Sequence, residues 1–273
     1  MPSAATPASL GFRLPAEWEP HAATWIAWPA RPAAFLGDMA EVAKAYARVV
    51  RTIARHEPVH VIGTGKVLDE ASRMVGGVPG VTLLDIPTND SWIRDTGPTF
   101  LVSARGDARA AVAWEWNAWG GKYPPWDADA GVGRAIAARC GMQVFEPGLV
   151  LEGGAIETDG EGTLLINARC VDDPSRNPGV PRELLEQAFR DQLAAERRSE
   201  PGKPRGQSRA PRGPRRRAWP PPRGAPARHS LPLHLRRRAA AATLHQPRQG
   251  PHRHRGQPLG RGFLPHLVLL QGR

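Results

Sequence analysis

The chain has 273 residues and a formal net charge of +11, but that charge averages two unlike parts. Residues 201–273 hold 17 Lys or Arg and no Asp or Glu, which leaves 20 basic and 26 acidic side chains in residues 1–200, a balance of −6. No apolar run reaches the roughly 18 residues of a membrane helix, the first residues lack a secretory pattern, and two cysteines, Cys140 and Cys170, make neither a disulfide scaffold nor a metal site.

The first 200 residues read as helices and strands in alternation. Over 38–56, Val42, Tyr46, Val49, Val50 and Ile53 fall at helical spacing, with Gly37 and Asp38 as start signals and Pro58 as the stop. The segment VHVIGT (59–64) predicts a buried strand and 66–75 a short helix. VTLLDIP (81–87) predicts a second strand, running into the polar Thr88-Asn89-Asp90. Strands over 99–104 and 110–117 follow, joined by a turn at Arg105-Gly106-Asp107, then a helix over 127–140 and a strand over 142–147. AIET and TLLIN flank Asp159-Gly160-Glu161-Gly162, a hairpin signal because glycine tolerates positive φ. Residues 182–197 predict an amphipathic helix carrying Leu184, Leu185, Ala188, Phe189 and Leu193, with Pro181 at its start. Paired strands, a helix, then another strand predict an α/β protein with mixed sheets and a first domain over residues 1–198.

The remainder, 199–273, is rich in Arg, Pro and Gly, and its composition predicts disorder. Its last 73 residues carry 13 Pro, 9 Gly and 6 of the 9 His, and they lack Asp, Glu, Asn, Ile, Tyr, Met and Cys. Low hydrophobicity with unbalanced charge does not repay the entropy of ordering a chain. Three readings compete: a basic nucleic-acid arm, a linker to a partner, and translation out of frame. The frame slip explains most, because Arg, Pro, Ala and Gly use codons built wholly from G and C, whereas the missing Asn, Ile, Tyr and Met need A or T. On any reading the charge gives incidental polyanion binding.

Three segments of the ordered part carry chemistry. Asn89-Asp90-Ser91-Trp92-Ile93-Arg94-Asp95-Thr96-Gly97-Pro98 follows an apolar strand, where sites in α/β proteins gather. Val150-Leu151-Glu152-Gly153-Gly154 ends a second apolar run on an acid and two glycines that permit close approach. Residues 114–126 contain Trp114, Trp116, Trp119 and Trp126, four of the nine tryptophans in the chain. Two carboxylates and a tryptophan wall suit a guanidinium, which is planar, permanently charged and forked for bidentate hydrogen bonds.

With 14–29 (LPAEWEPHAATWIAWP), 89–98 (NDSWIRDTGP), 116–129 (WNAWGGKYPPWDAD), 151–165 (LEGGAIETDGEGTLL) and 175–179 (SRNPG), the chain resembles the agmatine deiminase family, related to the bacterial peptidylarginine deiminases. Five motifs in order over about residues 10–197 carry the likeness. It implies a pentein-type α/β propeller of ββαβ modules, truncated here, with no metal or organic cofactor. It also implies a hydrolase, in a chain whose lack of a span, a secretory pattern and a disulfide scaffold makes the cytoplasm its expected place, acting on a small guanidino substrate, agmatine or an arginine-like compound, which it converts to a carbamoyl product and ammonia. In that chemistry a Cys thiolate attacks the guanidinium carbon, ammonia leaves, and water resolves the amidino-thioether with a His as acid and base. Carried over, Asp95 is the catalytic-site acid that grips the guanidinium, and Glu152, Trp92 and Trp119 line the substrate side. Arg94 belongs to the first motif, with a structural role open to it.

The departures matter as much. The family His, in a Gly-His-x-Asp-like motif, and the late family Cys have no counterpart here, and Cys170 aligns with neither. The chain is therefore expected to hold no nucleophile and to turn over no substrate. The alternative is a catalytically dead guanidine-binding protein, or one whose basic tail meets nucleic acid.

Overall fold

The computed structural model describes residues 5–35, 37–199 and 268–271. The N-terminal part runs β1 (Phe12–Arg13), β2 (His21–Ala27), α1 (Met39–Ile53), β3 (Val59–Gly63), α2 (Gly65–Val75), β4 (Val81–Asp85) and α3 (Ile93–Thr96). It continues through β5 (Thr99–Ser103), β6 (Arg109–Val112), α4 (Ala118–Gly121), α5 (Asp127–Arg139), β7 (Gln143–Phe145), β8 (Ile156–Thr158) and β9 (Thr163–Ile166). The single turn α6 (Ala168–Val171), then α7 (Arg182–Leu193), β10 (Arg197–Ser199) and β11 (Val268–Gln271) complete the described chain. Among the described residues no helix is long and apolar enough to cross a membrane.

Three mixed sheets result, ordered β11-β2-β3-β4, β1-β5-β6-β7 and β10-β9-β8. In the second, β6 pairs antiparallel with β5 and, after α5, parallel with β7. The third repeats this: β9 pairs antiparallel with β8 and, after α7, parallel with β10. Two successive ββαβ units therefore stand in the chain, each a tight hairpin followed by a helical crossover, as parallel pairing requires. Of the stretch expected as a tail, Val268–Gln271 pairs antiparallel with β2, as β5 does with β6, and 200–267 lies outside the described residues.

The predicted elements form with shifted ends. The α1 helix starts where Asp38 accepts the Ala40 N–H, and it buries Ala43, Tyr46, Ala47 and Val50 against the first sheet. It stops at Ile53, short of Pro58, and the amides of His56 and Glu57 satisfy the Ile53 carbonyl just beyond its end. The α7 helix ends at Leu193, not 197: Ala194 turns left-handed at φ 53°, and the chain then leaves as β10 beside β9. Sequence reading assigned no strand to His21–Ala27, yet β2 lies inside its sheet, with Trp25 and Ile26 fully buried. A near-continuous apolar run is what a strand covered on both faces looks like. Trp25, Ile62, Phe100, Ala111, Val132 and Ile136 share one cluster that joins the first two sheets, and Leu164, Leu185, Phe189 and Leu193 share another beneath α7.

Candidate functional site

The polar loop after β4 is built around reciprocal hydrogen bonds to the start of α5. Asn89 Oδ1 accepts the N–H groups of Ala128 at 2.9 Å and Asp129 at 3.1 Å. Asp129 Oδ1 accepts those of Asn89 at 2.8 Å and Asp90 at 3.2 Å. The arrangement satisfies donors at a helix start whose preceding residue, Trp126, provides no side-chain cap. Asp129 is buried, and desolvation, with help from the neighbouring Asp90 charge, pushes its pKa up to about 6 against those two amides. Asp90 is likewise raised by burial, opposed by the Ser91 N–H and the Trp92 indole.

The sign of that shift makes a prediction. A carboxyl whose folded pKa exceeds its unfolded one stabilises the fold most at low pH, and the contribution is lost as pH rises. For Asp129 the window runs from 3.8 to about 6, and the difference is worth on the order of 2–3 kcal/mol. Asp129→Asn keeps an oxygen for both amides and drops the charge. Its melting temperature relative to the parent is expected to climb between pH 4 and pH 7 in a thermal scan series, and parallel curves for the two proteins would refute this.

Within the loop, α3 sends Arg94 and Asp95 to different partners. Arg94 donates from Nε to the Gly153 carbonyl at 3.2 Å and from Nη2 to that of Ile156 at 3.3 Å, and it forms ion pairs with Glu17 and Glu157. These contacts engage every nitrogen of its guanidinium and make it a strut between the loop and the Gly153–Glu157 segment. Asp95 Oδ1 accepts the Gly154 N–H at 2.8 Å, and the Trp119 indole stabilises the charged form of the same carboxylate. Burial raises its pKa, while those two donors and the charges of Arg94 and Arg176 pull the other way. The two glycines are required by contact: a Cβ on Gly153 would stand 2.2 Å from the Arg94 carbonyl oxygen, and one on Gly154 2.5 Å from Asp95 Oδ1.

Glu152 is placed otherwise than a free ligand acid. It is 3% exposed and pairs with the buried Arg176, Nε to Oε1 2.8 Å. Arg176 also meets Asp173 Oδ2 at 3.0 Å and Ser175 Oγ at 3.2 Å through Nη1. The chain's own guanidinium thus occupies this acid. Next in the same loop, Asn177 Oδ1 accepts the Val150 N–H and Nδ2 donates to the Val150 carbonyl, both at 2.9 Å.

The aromatic wall gathers on Trp119. Its ring centroid lies 4.7 Å from Trp116, 5.4 Å from Trp92 and 5.6 Å from Tyr123, all edge to face. Trp114 and Trp126 are elsewhere: Trp114 is buried in the core cluster with α7 and donates to Thr99 Oγ1 at 3.0 Å, and Trp126 precedes α5. The structure therefore brings Asp95, Trp92 and Trp119 together and keeps Glu152 two residues from Gly154, behind Arg176. Asn117, Asp129 and Arg176 did not emerge as functional from the sequence. The SRNPG motif was the one signal for Arg176.

Cys170 lies on α6, directly after β9. It packs against the cluster beneath α7, and burial first, then the charges of Glu152, Asp95 and Asp173, raise its thiol pKa against the pull of Arg176. Cys140 caps α5, packs against the cluster joining the first two sheets and is raised by burial too. A thiol raised in this way is a poor nucleophile. Of the described histidines, His21 holds Glu57 at 3.1 Å and the His60 ring lies 4.6 Å from that of Trp25, tilted by 50°. Among the described residues no group of three His, Cys, Asp or Glu is placed to hold a metal.

Residues 13–199 match the Porphyromonas-type peptidyl-arginine deiminase family. The chain is 39% identical over 198 residues to the agmatine deiminase of Pseudomonas savastanoi pv. phaseolicola, covering 70% of this chain and 53% of that protein. With the agmatine deiminase of Pseudomonas aeruginosa strain LESB58 the identity is 41% over 201 residues, with the same coverage. The solved agmatine deiminase of Enterococcus faecalis superposes with a TM-score of 0.68 at 32% identity, over 72% of this chain and 55% of that one. The chain spans about half the length of the curated relatives it matches.

Proposed function

The chain belongs to the Porphyromonas-type peptidyl-arginine deiminase family, and from that premise we propose that it carries the guanidinium-gripping part of an agmatine-deiminase-type site. Asp95 carries the reading. Its carboxylate is desolvated, anchored on one oxygen by the Gly154 amide, and set beside the edge-to-face pair Trp92 and Trp119. A planar cation with forked donors is the ligand such a site favours: the carboxylate supplies charge and acceptors, and the indoles supply π faces. We further propose that the two ββαβ units are modules of a pentein-type propeller, and that the ligand is agmatine or an arginine-like guanidine.

Binding without turnover is the reading for this chain itself. C–N hydrolysis in this chemistry needs a thiolate and a His acid. No Cys follows Cys170 in the sequence, and Cys170 is held as a thiol. Purified protein is expected to form no measurable N-carbamoylputrescine from agmatine, since removing an activated nucleophile takes away most of an enzyme's rate enhancement. Calorimetric titration with agmatine is the companion test and should report a single site. Product formation that Cys170→Ala abolishes would overturn the claim of inactivity, and no heat of binding would sink the guanidinium site.

A further inference from the structure

The structure assigns Asn117 as a positioning residue that sets Trp119 and, through it, Asp95; the assignment rests on the reading of Asp95 as the guanidinium carboxylate. The turn α4 has an unusual backbone. Ala118, Trp119, Gly120 and Gly121 lie at φ 52°, 57°, 83° and 78°, a complete left-handed turn. Glycine adopts this freely, but Ala118 and Trp119 do so against the clash of Cβ with their own backbone. Such residues persist only where their surroundings over-determine them, and they cluster at functional sites.

Asn117 is what over-determines this turn. Its Oδ1 accepts the Gly120 N–H at 2.9 Å, closing the turn from within. Its Nδ2 donates to the carbonyl oxygens of Ser175 at 2.9 Å and Arg176 at 3.4 Å, tying the turn to the neighbouring loop. Gly120 presses so near Ser175 that a Cβ would stand 2.2 Å from its Oγ. From there a ring of contacts closes. Arg176 is fixed by Glu152, Asn117 by the Arg176 backbone, Trp119 by the Asn117 turn, and the Trp119 indole in turn stabilises the charge of Asp95. The Gly154 N–H then returns from Asp95 to a point two residues from Glu152. On this ring Glu152 acts through Arg176, and Asp95 is the carboxylate presented to a ligand. Asn117 touches no ligand; it decides where one indole points.

The test uses the full chain with Asn117→Ala and the milder Asn117→Ser, whose hydroxyl still accepts the Gly120 amide but does not span to Ser175. Far-UV circular dichroism reports folding, near-UV dichroism reports the coupled rings of Trp92, Trp116 and Trp119, and calorimetry reports agmatine affinity. Expected for Asn117→Ala is an unchanged far-UV spectrum, loss of more than half the near-UV tryptophan signal, and agmatine affinity at least fivefold weaker. Asn117→Ser should fall between it and the parent, and it decides the matter if Asn117→Ala does not fold. A purely structural Asn117 would lower the melting temperature and leave the near-UV signal and the affinity per folded molecule alone. A folded variant with an unchanged tryptophan signal and affinity within twofold of the parent overturns the assignment. If the parent binds no agmatine, the Asp95 reading fails by itself, and the near-UV signal still judges Asn117.

Discussion

Asp95→Asn is expected to weaken agmatine binding by about 10- to 100-fold, from the 1.5–3 kcal/mol of a charge-assisted hydrogen bond. The amide preserves shape and can still accept the Gly154 N–H through its oxygen. It loses the charge, and it points an N–H₂ either at the Trp119 indole N–H or at the guanidinium, donor against donor. Removing the charge also removes the desolvation that raises the Asp95 pKa, so the loss of affinity should come without a comparable loss of fold. The same shift means that agmatine affinity falls as pH is lowered, since the cation binds the ionised form. The rival view is that Asp95 merely braces the Gly153-Gly154 corner. That view predicts a lower melting temperature with affinity per folded molecule intact. Calorimetry and a thermal scan on one sample separate the two, and a folded Asp95→Asn protein that binds within threefold of the parent would end the assignment.

The largest stability effect is expected at Arg176. Arg176→Met removes the counter-charge from a glutamate that is 3% exposed, and breaking a buried pair by removing one partner costs about 3–5 kcal/mol. For a domain near 200 residues each kcal/mol moves the melting point roughly 2–4 °C, so a fall on the order of 10 °C follows. Adding Glu152→Gln should recover much of it, because the stranded charge disappears. A loss under about 1 kcal/mol in chemical denaturation for Arg176→Met, or no recovery in the double variant, would contradict the buried pair.

What the sequence made legible was what depends on neighbours in the chain. The periodicity of Tyr46 and Val50 found α1, Asp159 to Gly162 found the β8–β9 hairpin, and NDSWIRDTGP put Asp95 and Trp92 at a strand end. What stayed hidden depends on contacts across the fold. Residues 194–196, Ala-Ala-Glu, are good helix formers, yet Ala194 turns left-handed, Ala195 sinks into the core and the chain runs on as a strand, since tertiary context overrides propensity. Glu152 read as a free acid because its partner Arg176 lies 24 residues away, across an intervening hairpin. Only the family resemblance set Trp119 apart from the other three tryptophans of 114–126, because nothing local announces a left-handed turn at a bulky residue.

Asn177 carries a last consequence. Glu115 bridges to Val150 in a parallel pairing on one side, through its N–H to the Leu149 carbonyl. On the other side the amide group of Asn177 takes both the N–H and the C=O of Val150. A primary amide offers one acceptor and one donor in the spacing of a peptide unit, so a single side chain stands in for a strand. An exposed ladder of unpaired peptide groups invites another molecule to add to it, and proteins blunt such borders to stay monodisperse. Here one side chain completes the pairing of a single bridged residue. Its removal would leave the N–H and C=O of Val150 without these partners.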